Sequence, residues 1–97
     1  MDEPEFEWDF LKDLENQIKH GVSFKDACHA FSDPDCVISE DPDHSHVEER
    51  LFCYGLDQAM QDVLTVRFTF RVGRIRIIGA GYWRKGRKLY DKENQIY

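Results

Sequence analysis

Ninety-seven residues, 41% of them hydrophobic and 13% aromatic, suffice for one domain with a single core; they are too few for two domains and too apolar for a disordered chain. The formal charge is −6, from thirteen Lys and Arg against nineteen Asp and Glu, and the only thiols are Cys28, Cys36 and Cys53, without a CxxC pair. The amino-terminal MDEPEFEWDF lacks the basic start and apolar run of a secretory signal, and no apolar run approaches a membrane span, so the expectation is a cytoplasmic protein with reduced cysteines and no membrane contact.

Taken in order, Asp9 is placed to cap a helix in which Phe10, Leu11, Leu14 and Ile18 form one apolar stripe. Lys19 and His20 suit its carboxyl-terminal turn, and Gly21 stops it. Ser23 opens a second helix, with Asp26 completing a weak capping box, an apolar face of Phe24, Ala27, Cys28 and Phe31, and Asp33-Pro34-Asp35 at its end. The period then changes. Cys36 to Ser39 and Arg50 to Tyr54 read as short strands separated by the polar loop EDPDHSHVEE, and GLDQAMQD reads as a turn. Residues 63–70 and 74–80 alternate as strands, and Trp83 to Asn94 forms a basic terminal helix weakened by Gly86. The sum is an α+β domain over residues 1–97: two amino-terminal helices, a four-stranded antiparallel sheet and a carboxyl-terminal helix.

Charge is segregated along this order. From Val63 to Tyr90 there are eight cations (Arg67, Arg71, Arg74, Arg76, Arg84, Lys85, Arg87, Lys88) and no acid; the rest has five cations and all nineteen acids, a division of +8 against −14. The two long strands must pair as a hairpin around Arg71-Val72-Gly73. A register setting Phe68 opposite Arg76 would bury an unpaired cation, so facing residue numbers must sum to an odd number. Arg67, Arg71, Arg74 and Arg76 then share one face, where like charges repel unless an anion covers them. One reading is a solvated face neutralised by the chain's own acids; the absence of any acid within the segment favours an external anion instead. The loop with His44 and His46 lacks the glycine of a calcium loop and any zinc-ligand spacing, so no metal or other cofactor is expected.

EWD at Glu7 to Asp9 with Lys12 and Asn16, KHGVSF at Lys19 to Phe24, DPDHS at Asp41 to Ser45 followed by Glu49-Arg50 and Gly55, RIRII at Arg74 to Ile78, and a basic run ending in Tyr90 occur in an order that resembles the BrnT-type ribonuclease toxins of bacterial toxin–antitoxin operons. The resemblance covers nearly the whole chain. It implies a RelE-like fold, an RNA substrate, a cognate BrnA-like antitoxin, and operator DNA reached only indirectly through that antitoxin. One stretch departs from the family pattern: after RIRII the family reads Ser-Ala-Arg, whereas here Gly79-Ala80-Gly81-Tyr82-Trp83 carries no Arg at 81.

If the substrate is RNA, its 2′-hydroxyl is the nucleophile, and cleavage needs a base, an acid and cations around the phosphate rather than a metal. Candidates for proton transfer are His20, Lys19 and Tyr90, with the loop histidines His44 and His46 also weighed; Arg74 and Arg76 would stabilise the transition state. RNA or antitoxin would be held by Arg67, Arg71, Arg84, Lys85, Arg87 and Lys88, with Trp83 or Tyr82 stacking a base. His20 can equally bond a backbone carbonyl at a helix end; Tyr90 reads more readily as a core-edge aromatic, and Trp83 and Tyr82 more readily as packing residues. The competing reading is a non-catalytic module that keeps the toxin fold and acts only in an antitoxin–operator repressor complex.

Overall fold

The computed structural model describes residues 4–44 and 48–96; His46 and the side chain of His44 lie outside the described residues. The elements are β1 (Phe6–Trp8), α1 (Phe10–His20), α2 (Phe24–Ala27) running into a 3-10 helix (Cys28–Ser32), β2 (Val37–Glu40), a 3-10 turn (Pro42–His44), β3 (Arg50–Leu56), β4 (Val63–Arg71), β5 (Arg74–Gly81) and α3 (Arg84–Glu93). One sheet runs in the order β1-β5-β4-β3-β2. Its neighbours are antiparallel except β1 and β5, which are parallel.

The α+β class holds, but the four-stranded antiparallel sheet expected from the sequence is corrected to five strands in a mixed sheet. β1 has only three residues, too short to show a period, and it exists because β5 offers it an edge: Ile75 N–H donates to Glu5 O at 2.9 Å, and Glu7 stands opposite Arg76. The second helix is likewise a single α turn, capped by Ser23 Oγ accepting from Asp26 N–H at 3.0 Å, before it tightens to 3-10 geometry.

One face of the sheet carries the main core. Phe24, Ala27 and Ala30 of the α2 region are fully buried against Val66, Phe68, Ile77, Ala80 and Cys53. Phe31 meets Phe68 at a centroid distance of 5.0 Å and Phe6 at 5.3 Å. On the opposite face α3 closes a smaller cluster of Tyr54, Val63 and Tyr90. A Cβ at Gly86 would collide with the Thr65 hydroxyl and stand 3.0 Å from the Tyr54 ring. The glycine that weakens α3 as a helix is therefore what lets it lie on the sheet.

Helix α1 forms with the expected bounds: Asp9 Oδ1 accepts from Leu11 N–H and Lys12 N–H, and Gly21 at φ 71 ends it. Its orientation is not what an apolar stripe normally dictates. Phe10, Leu11, Leu14 and Ile18 face outward, Ile18 at 86% exposure, and the one buried residue of the helix is Asn16. The reason is a polar anchor. Beyond the end of β1 the edge of β5 is open, and Asn16 completes it: its amide donates to Ala80 O at 2.8 Å and to Val22 O at 2.9 Å, and its Oδ1 accepts from Ala80 N–H at 3.2 Å. These bonds satisfy buried backbone groups that no strand pairs.

The hairpin turns on two residues, Val72 and Gly73, with Arg71 opposite Arg74. From there to Phe68 and Ile77 facing numbers sum to an odd value, as the burial argument requires. A bulge then inserts Ile78, so that Arg67 faces Gly79 and Val66 faces Ala80.

Candidate functional site

Helix α1 shows a second stripe, polar and at the same helical spacing: Lys12, Glu15, Asn16, Lys19 and His20. These five line one wall of an open groove of about 550 Å³. The floor is the sheet face opposite the main core, with Arg50 and Phe52 of β3, Thr65 and Arg67 of β4, and Ile78 to Ala80 of β5, and Trp83 closes the end where α3 begins. The bulge at Ile78 helps shape this floor, and Gly79 opposite Arg67 leaves the guanidinium uncovered by a facing side chain. Four cations (Lys12, Lys19, Arg50, Arg67) share the lining with His20 and a single carboxylate, Glu15.

Of the residues singled out from the sequence, Lys19, His20, Arg67 and Trp83 come together here. His20 and the Trp83 ring are in edge contact, with centroids 5.1 Å apart and planes at 72°. The others lie elsewhere. Arg71, Arg74 and Arg76 do share the sheet face with Arg67, but each meets an acid: Arg76 Nη1 is 2.8 Å from Glu7 Oε2, Arg74 Nε is 2.9 Å from Glu5 Oε2, and Arg71 Nη2 is 3.5 Å from Glu48, which Arg50 shares. Arg67 itself is 3.9 Å from the buried carboxylate of Asp41. These arginines therefore have internal partners, which the acid-free segment alone did not suggest. The acids arrive from β1 and from the loop before β3, both remote in sequence.

Arg87 is tied to Asp62 and Asp91, whereas Arg84, Lys85 and Lys88 are exposed on α3 and make no ion pair among the described residues. Tyr90 lies in the small cluster under α3, apart from the groove lining, and its hydroxyl donates to Asp33 Oδ2 at 2.7 Å. Burial, then the carboxylate of Asp33, push its phenol up. Tyr82 donates to Asp57 at 3.1 Å and is pushed up to about 12, by burial first and by Asp57 second. Burial also raises the thiols, Cys28 to about 11 and Cys53 further, so neither is an activated nucleophile.

Reading the sequence left Glu15, Phe52, Thr65 and Ile78 out of the site and assigned no role to Lys12, Asn16 or Arg50. The signal was present in α1: residues 12, 15, 16, 19 and 20 repeat at helical spacing as regularly as the apolar set does. Nothing local marks Phe52 or Thr65, which enter the floor only through strand pairing.

Among the described residues no three His, Cys, Asp or Glu side chains converge to hold a metal ion, and no helix is long and apolar enough to cross a membrane. A family model described as ribonuclease toxin, BrnT, of type II toxin-antitoxin system matches residues 8–86, a span that takes in α1, the groove floor and Trp83. A comparison with curated proteins gives no match.

Proposed function

Since the chain belongs to the BrnT family of type II toxin–antitoxin ribonuclease toxins, we propose that it is a metal-independent endoribonuclease whose chemistry takes place in the groove between α1, the sheet and Trp83. The observation that carries this reading is the lining itself, in which four cations, one histidine and one carboxylate face a single open concavity. The type II class implies an antitoxin partner. On this reading that partner is BrnA-like, masks the groove in the cytoplasm, and is the only route by which the toxin meets operator DNA.

RNA supplies the attacking group, its 2′-hydroxyl, so the protein's work is proton transfer and charge stabilisation. Glu15 takes the 2′-hydroxyl proton as that oxygen attacks phosphorus. The bond from phosphorus to the 5′-oxygen breaks, and His20 in its protonated form gives the leaving oxygen a proton. The products are a 2′,3′-cyclic phosphate and a 5′-hydroxyl end. Arg67, Lys12 and Lys19 hold the phosphate as negative charge builds on it, with guanidinium suited to two phosphate oxygens at once. Arg74, Arg76 and Tyr90, occupied by Glu5, Glu7 and Asp33, serve the fold.

The test is cleavage of an unstructured RNA oligonucleotide by purified protein in excess chelator. His20→Ala and Glu15→Gln should each slow cleavage by a factor of about a hundred to ten thousand. Both residues are exposed, so their melting temperatures should stay near the parent's. Cleavage that needs added metal would overturn metal independence, and two fully active variants would move the chemistry out of the groove. A parent that binds antitoxin and never cleaves RNA would favour the repressor-module reading.

A further inference from the structure

Gly81 ends β5 beside the groove, and the space its side chain would need is taken by another residue. A Cβ built there would lie 2.5–2.8 Å from three carbons of the Trp83 ring, so the indole is folded back into that slot. A side chain at 81 would force the ring to shift. Trp83 also occupies the N-cap of α3, a position where Ser, Thr, Asp or Asn would accept a backbone N–H; α3 has no side-chain cap bond and no acid in its first turn. A residue that forgoes capping and needs a glycine beneath it is held there by some other use of its ring.

The ring's neighbour is His20. This imidazole closes α1, is exposed, and makes no hydrogen bond among the described residues. The edge contact with the indole, at 5.1 Å between centroids, is what restricts its rotation. We propose that Trp83, seated over Gly81, is a positioning residue that holds the His20 imidazole at the groove wall. The proposal rests on the reading of His20 as proton donor, and it makes the Gly79–Trp83 departure from the family pattern a working part of this site. A proton donor must be aligned with the leaving oxygen, and a freely rotating side chain would lose most of that alignment.

Three variants of the full chain test it: Trp83→Leu, Trp83→Phe and Gly81→Ala. In the parent, the His20 ring protons should show ring-current-displaced NMR shifts. These should collapse toward exposed-histidine values in Trp83→Leu and Gly81→Ala and persist in part in Trp83→Phe. With an RNA oligonucleotide, kcat should fall about ten- to a hundredfold in the first two while KM stays put, and Trp83→Phe should recover most of the loss. Unchanged His20 resonances in Trp83→Leu would overturn the ring pairing. An unchanged kcat in a variant whose His20 shifts have collapsed would overturn the positioning role, and a raised KM at constant kcat would reassign Trp83 to stacking a base. Full activity in His20→Ala would sink the proton-donor reading alone, because the NMR shifts report the ring pairing without reference to cleavage.

Discussion

Asp33 shows how much a single side chain can hold at the residue scale. Its Oδ2 accepts from Leu56 N–H at 2.9 Å and from the Tyr90 hydroxyl at 2.7 Å, and its Oδ1 accepts from Asp35 N–H at 2.9 Å, so one carboxylate joins β3, α3 and the loop before β2. Burial works to raise this carboxyl, but the Tyr90 hydroxyl and the two amides outweigh it and hold the group below its ordinary 3.8. A depressed folded value means stability fully present above the unfolded value and lost as pH falls through the folded one. Asp33→Asn should therefore cost about 1–3 kcal/mol near neutral pH, because a single amide oxygen cannot accept at both carboxylate positions, and the amide nitrogen is left facing either Asp35 N–H or the Leu56 and Tyr90 donors. It should also flatten the loss of melting temperature between about pH 5 and pH 2. A variant whose acid sensitivity matches the parent's would show that this carboxylate is not the linchpin. The sequence marked Asp33-Pro34-Asp35 only as a helix stop, since bonds to partners 23 and 57 residues away have no local signature.

At the scale of elements, what was legible followed length and period. The bounds of α1, the hairpin and the existence of α3 could be read directly, because each has a repeating pattern or a terminal signal. β1 could not, because three residues carry no period, nor could the outward turn of α1, because Asn16 outweighs four apolar residues only through bonds to a strand 64 residues on. The hairpin turn is where sequence and geometry disagree most. Val72 has φ 52 and Gly73 φ 76, a pair of left-handed residues of the kind that Asn-Gly satisfies, yet a β-branched side chain occupies the first position. Val72 is also 96% exposed, so nothing is gained from burying it. Val72→Asn should stabilise the protein by about 1 kcal/mol, read as a higher denaturation midpoint at unchanged slope. An equal or lower midpoint would mean that the turn relaxes to avoid the strain.

Over the whole molecule, the fold undoes the charge segregation of the sequence by laying β1 beside β5 and the acidic loop beside β4. Glu5 and Glu7 reach Arg74 and Arg76, Glu48 reaches Arg71, and Asp41 reaches Arg67. The hairpin half of the ribbon is thus neutralised from within, and the cations left for an outside anion are Lys12 and Lys19 of the groove wall, Arg67 on its floor, whose pair with Asp41 is long at 3.9 Å, and Arg84, Lys85 and Lys88 of α3. This changes what salt should do. Single-stranded RNA binding weakens with salt along a log–log slope of about −0.7 for each phosphate neutralised. Lys12→Ala and Lys19→Ala should each shrink that slope by about one such step, while Arg74→Ala should leave it in place, because its guanidinium is already engaged by Glu5. Arg76→Ala should leave the slope alone as well, but it strands Glu7 beside a half-buried strand, so stability should fall by up to about 1 kcal/mol rather than rise from relieved repulsion. Binding isotherms at several salt concentrations, with melting curves on the same four proteins, separate the two cation sets. If the arginine variants flatten the slope as much as the lysine variants do, RNA displaces Glu5 and Glu7 on binding, and the ribbon belongs to the contact surface after all.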